Sequence, residues 1–115
     1  MLTKNFRKFK LYYMYKWKIE ELKFQIGKLI QLHRLKRGLS QLQLGNELNI
    51  SSNHVGRIER AETNPTIESL VTFCNFLEID LLHLFTKLNE KELKKIESEI
   101  DHLQKEFKNQ NKRKS

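Results

Sequence analysis

The stretch Ser40–Ile58, SQLQLGNELNISSNHVGRI, holds two short helical patterns almost end to end. Ser40 with Gln43 is a capping box, in which each side chain satisfies an orphan backbone N–H of the helix that starts there. Leu44 and Leu48 share a face at i, i+4. Asn49 closes this helix, because Asn tolerates the left-handed conformation better than most non-glycine residues. Ser51 caps a second helix, whose buried face is supplied by Val55 and Ile58 at i, i+3. About eight residues of helix, a turn of about four and a second short helix make a helix-turn-helix.

Outward from this motif, IGKLIQLHRLKRGLSQ leads into it, VGRIERAETNPT continues it, and a helix ending FLEIDLLHLF follows. With LGNELNI between them, these pieces run in order over residues 26–85, about half the chain. The run resembles the Cro/C1-type (xenobiotic-response-element-like, XRE) helix-turn-helix family of transcriptional regulators. That resemblance implies an all-α, five-helix domain that binds double-stranded operator DNA as a homodimer, as a repressor, with no cofactor. In such domains one helix of the motif enters the major groove and the other braces it against the backbone.

Carried over position by position, the resemblance puts the base-reading helix at Ser52–Arg60. Ser52, Asn53 and Arg57 fall where members of the family reach base edges. Their chemistry suits the task, since Arg donates bidentately to guanine and Asn pairs with adenine. The alternative is a solvated helix face bearing ordinary polar residues. Gln41 stands at a helix N-terminus, where the family sets a Gln against phosphate; free N–H groups and the helix dipole favour an anion there. His54, Arg60, Thr63 and Asn64 are the further phosphate candidates. Arg34 and Glu59 match a structural ion pair; the bland alternative is two independent surface charges. The chain departs from the pattern at Glu62, where the family is often basic, at Ala61 and Glu78, where Gly is favoured, and at Gly45 and Cys74, where Ala is usual.

The 115 residues suffice for one small core. The net charge of +8 calls for an anionic partner, but it is uneven. Residues 1–24 carry seven Lys/Arg against two Glu, residues 25–87 seven against six acids, and residues 88–115 eight against six. The recognisable domain is therefore close to neutral, and the arrangement within the motif has to carry the DNA-binding expectation. A single cysteine, Cys74, excludes an intrachain disulfide framework and reads as a small core residue. No run is long and apolar enough for a membrane span or a signal peptide, so a cytoplasmic protein is expected. His33, His54, His83 and His102 form no HExxH motif or metal-ligand pattern with Cys74, and no phosphate-cradling Gly loop occurs; no metal site and no enzyme is expected.

The flanks are less ordinary. Residues 1–24 form a basic-aromatic arm in which Phe9, Leu11, Tyr13, Tyr15, Trp17 and Ile19 alternate with residues such as Lys8, Lys10, Lys16 and Lys18, a period-2 pattern. The arm could pair with a mate's arm, lie across DNA or order only on binding, and Met14 is an alternative start. A helix from Ile19 or Glu20 to Arg37 is expected to turn Ile26, Ile30 and His33 to the core, with Gly38 as its stop. Leu22, Leu29, Leu32 and Leu35 are surplus apolar surface that something must cover. After the domain of residues 25–87, an amphipathic helix over residues 88–109 carries Leu93, Ile96, Ile100, Leu103 and Phe107 at coiled-coil a and d positions, and 110–115 is a basic tail. Glu92, Glu97, Glu99 and Glu106 at e and g disfavour parallel self-pairing, so the helix is expected to pack on the first one, in cis or across a dimer. Dimerisation would then rest on the fifth helix, where Leu82 is apolar at a typically polar position. The same flanks support a rival, an antitoxin-type module that holds a protein partner and autoregulates.

Overall fold

A computed structural model describes residues 16–114. Within them lie six helices and no strand: α1 (Ile19–Lys36), α2 (Gln41–Leu48), α3 (Ser52–Glu59), α4 (Ile67–Leu77), α5 (Leu81–Phe85) and α6 (Glu90–Lys114). The boundaries follow local chemistry. Ser40 and Gln43 form the reciprocal capping box at α2. Ser51, Thr66 and Asp80 each accept a backbone N–H at the heads of α3, α4 and α5, and the Asn89 carboxamide accepts from Glu92 N at the head of α6. Each such cap removes one orphan donor, worth about 1 kcal/mol. α2 ends on Asn49 in the left-handed region (φ 58°), and Arg60 terminates α3 as its C-cap instead of forming its last turn.

The core gathers around α1. Ile26, Leu29 and Ile30 pack with Leu44 of α2, Val55 and Ile58 of α3, Leu70, Phe73, Cys74 and Leu77 of α4, then Ile79 and Leu84. Two glycines set how closely the motif closes up. A Cβ on Gly27 would stand 2.6 Å from the carbonyl oxygens of both Ile58 and Glu59, so α1 can cross the end of α3 only with hydrogen there. A Cβ on Gly45 would meet Ile50 O at 2.5 Å. Even alanine would force a backbone shift there, and the helix propensity that Gly45 sacrifices, about 1 kcal/mol, is spent on the tight α2–α3 turn.

A second, smaller cluster joins Leu32 and Leu35 of α1 to Ile100 of α6, with Ile96 and Leu103 against it. α6 covers this face in cis. The two helices run parallel: Leu88 N, just before α6, donates to Gln25 Oε1 at 3.0 Å, while Glu99 lies 3.6 Å from Lys36 at the far end of α1. Leu93 and Phe107, expected on the same seam, are half-buried outside this cluster. Phe107 stands beyond the last turn of α1, where no partner helix continues among the described residues.

His33, on the face expected to meet the core, is half-buried at its boundary. Some expectations need correcting. Leu29, expected as surplus, is 1% exposed within the core. α1 is sandwiched between the motif and α6, so its apolar stripe is broader than one face and the positions sort differently. α1 begins at Ile19, as the helix expected from Ile19 or Glu20 has it, and so takes up the end of the span 1–24; Lys16, Trp17 and Lys18 precede it without regular structure, and the earlier part of the alternation lies outside the described residues. α6 continues through Asn109 to Lys114, across the expected tail 110–115, because no Gly or Pro interrupts NQNKRK.

Candidate nucleic-acid interface

α3 presents its polar side outward because its apolar side is fully engaged. Val55 is 0% exposed and Ile58 2%, which leaves Asn53 and Arg57, at i, i+4, exposed together on the opposite face. Ser52 and His54 are half-buried beside them in the first turn. The Ser51 hydroxyl accepts from His54 N at 3.1 Å and so fixes where this turn begins.

The orientation of α3 is locked from behind by an ion pair. Arg34 Nε donates to Glu59 Oε2 at 2.6 Å and its Nη2 to Glu59 Oε1 at 3.0 Å, with the side chains 6% and 2% exposed. The remaining guanidinium nitrogen donates to Leu39 O at 2.7 Å, tying the turn before α2 into the same bond network. Such a pair is stable only when its lone pairs and protons are satisfied, and among the described residues no buried side-chain polar atom lacks a partner.

Gln41 joins this network. Its Nε2 donates to Glu59 Oε1 at 3.0 Å, which holds the amide at the head of α2 and leaves its second N–H for an external acceptor. Arg60 is differently placed. It lies at the surface and forms a bidentate pair with Glu62, at 2.9 and 3.2 Å. The hydrogen bond between them holds the Glu62 carboxyl below its usual range and pushes the Arg60 guanidinium up. Any anion approaching Arg60 competes with that carboxylate. Thr63 is half-buried and Asn64 exposed in the same loop. The positions read from the sequence therefore fall into two sets: Ser52, Asn53, His54 and Arg57 on α3, and Gln41 and the Arg60–Asn64 loop at its margins.

Other polar residues serve the fold. Gln25, which the sequence did not single out, is 1% exposed; its amide donates to Leu84 O at 3.1 Å and Thr86 O at 2.8 Å and accepts from Leu88 N. It is the clasp that sets α5 and the head of α6 on α1. Burial pushes the Cys74 thiol up, consistent with a core thiol of low reactivity. Among the described residues no group of His, Cys, Asp and Glu is placed to hold a metal ion, and no helix is long and apolar enough to cross a membrane.

Comparison with known proteins agrees with this geometry. The helix-turn-helix family profile matches residues 30–84. The HTH-type transcriptional regulator SlrR of Bacillus subtilis (strain 168) is 38% identical over 61 residues, which are 52% of this chain and 40% of that protein. The chain thus spans well under two thirds of that relative's length. No solved structure matches the chain.

Proposed function

We propose, from the match of residues 30–84 to a helix-turn-helix family profile, that the chain is a Cro/C1-type regulator that binds a specific double-stranded DNA sequence and regulates transcription as a dimeric repressor. The observation that carries this is the pairing of an outward Asn53–Arg57 face with a rigid back. Arg57 donates to a guanine edge, Asn53 reads an adenine, and Ser52 adapts to either. Gln41, with one N–H on Glu59 and one outward, positions the domain on phosphate, helped by the α2 N-terminus. His54, Arg60, Thr63 and Asn64 supply the remaining backbone contacts.

The dimer is assigned to α5 and the neighbouring face of α4. Leu82 is 73% exposed and Ile67 79%, with Phe85 and Val71 also exposed. Apolar surface of this kind is what a self-complementary interface buries. The antitoxin-type alternative requires the flanks to hold a protein. α6 uses Ile96, Ile100 and Leu103 on its own α1, which favours the DNA-regulator reading.

The test separates readout from positioning. A duplex is first enriched from a random library by the wild-type chain. Arg57→Ala should cost about 1–3 kcal/mol on that duplex and relax preference at one base position, while Gln41→Ala should weaken selected and random duplexes alike. Equal losses on both duplexes for Arg57→Ala would remove its role as a base reader.

A further inference from the structure

The C-terminal helix divides into two halves of opposite charge. Residues 90–103, which lie along α1, carry three Lys against five Asp and Glu. Residues 104–114 carry five Lys and Arg against one Glu. The change of sign coincides with the point at which α6 outruns α1. Leu103 still packs on the Leu32–Leu35–Ile100 cluster, and nothing of α1 remains past Lys36. Eleven further residues then project as helix, roughly 16 Å at 1.5 Å per residue.

The direction of that projection matters. α1 and α6 run parallel, and the chain leaves α1 through Leu39 and Ser40 directly into Gln41, the phosphate-facing head of α2. A cleft between α1, α6 and the motif is lined by Lys28 of α1, by Gln41, Glu59 and Arg60 of the motif, and by Glu97, Asp101 and Gln104 of α6. Gln104 is thus level with the candidate interface, and the basic turns begin immediately after it. The carboxylates of Glu97 and Asp101 would oppose a phosphate inside the cleft, which leaves the turns beyond Gln104 as the part of α6 suited to an anion.

We infer that residues 105–112 of α6 lie along the phosphate backbone of duplex DNA flanking the bound site, a second contact to the same DNA that reads no bases. The inference rests on the DNA-binding function proposed above. The acidic half docks the helix, the basic half meets the duplex, and α6 acts as an outrigger that extends the footprint. Surface Lys and Arg in such a place act through counterion release, so their contribution falls steeply with salt.

The experiment compares the full chain, its Lys105→Gln/Lys108→Gln variant and a chain ending at Gln104, all on a duplex selected by the wild type and trimmed to 2, 5 or 10 flanking base pairs. Thermal melts of the two altered forms should match the wild type, since Ile96, Ile100 and Leu103 stay in place. Wild-type affinity should rise with flank length, and that rise should vanish in the truncated chain. The double variant should lose about tenfold or more in affinity near 0.1 M salt, and its log–log salt slope should fall by about two, one per phosphate contact. Base preference should be unchanged. Identical salt slopes and flank dependence in all three proteins overturn the inference while leaving the DNA-binding function intact. Tighter binding by the truncated chain also overturns it, because α6 would then be shielding the interface. Failure of the wild type to enrich any duplex removes the DNA-binding function and the inference with it.

Discussion

Glu59 shows how much one side chain can carry. It receives both arms of Arg34 and the amide of Gln41, so it links α1, α3 and the head of α2. Glu59→Gln leaves the Arg34 charge buried without its counter-charge and should destabilise the fold by about 3–5 kcal/mol, read as a large drop in a thermal melt. A melt that does not move would show the pair to be dispensable. His33 gives a second residue-scale expectation. Burial, reinforced by repulsion from Lys36, His83 and Arg37 and only partly offset by Glu99, lowers its pKa below 6.5. The unfolded chain therefore takes up a proton before the folded one does. The contribution of His33 to stability is fully present above about pH 6.5 and is lost as pH falls towards the folded pKa. His33→Gln should flatten that part of the stability–pH curve; an identical curve would locate the acid sensitivity elsewhere. The caps on Ser40, Ser51, Thr66 and Asp80 were legible because each acts on a neighbour two or three residues away. Gln25 was not, because the groups it bonds lie about sixty residues further on and a lone Gln in a helix carries no local signal.

Among the elements, the non-glycine residues with positive φ in the described part of the chain all lie where helices end: Asn49 (58°), Ala61 (58°) and Glu78 (57°). Asn tolerates that conformation, whereas Ala and Glu each cost roughly 1 kcal/mol. Ala61→Gly should therefore raise stability by up to about 1 kcal/mol, and a melt that falls would mean that the loss of unfolded-state restriction outweighs the relief. α6 is the element that periodicity described only in part. Its apolar spacing and its acidic e and g positions identified a helix that needs a partner other than itself, yet which of its apolar residues touch that partner depends on where α1 stops. Ile100 is 3% exposed against Leu32 and Leu35, so Ile100→Ala should cost about 2–3 kcal/mol. Phe107→Ala, past the end of α1, should cost much less. Equal effects at the two positions would mean that α6 docks along its whole length.

For the whole molecule, the apolar surface that stays outside is as informative as the core. α1 has cover on both sides, from the motif and from α6, whereas the side chains of Ile67, Val71, Leu82 and Phe85 on α4 and α5 are exposed among the described residues. The position of Leu82 was legible as apolar where the family pattern is polar, but a single sequence cannot say which surplus leucines a chain covers for itself; Leu32 and Leu35 are covered by α6, and Leu82 is not. A second copy meeting this face through a two-fold axis would bring two Leu82 side chains together, and a two-fold dimer is what a pair of half-sites about one helical turn apart requires. Leu82→Arg places like charges across such an axis without touching the core, since the residue is 73% exposed. Sedimentation should then show a shift from dimer to monomer, and affinity for a two-half-site duplex should fall towards that for a single half-site. The intrinsic fold of the protomer, followed by helical circular dichroism, should persist. A dimer that survives Leu82→Arg would move the interface away from α5, and the remaining apolar candidates on α4 would then be Ile67 and Val71.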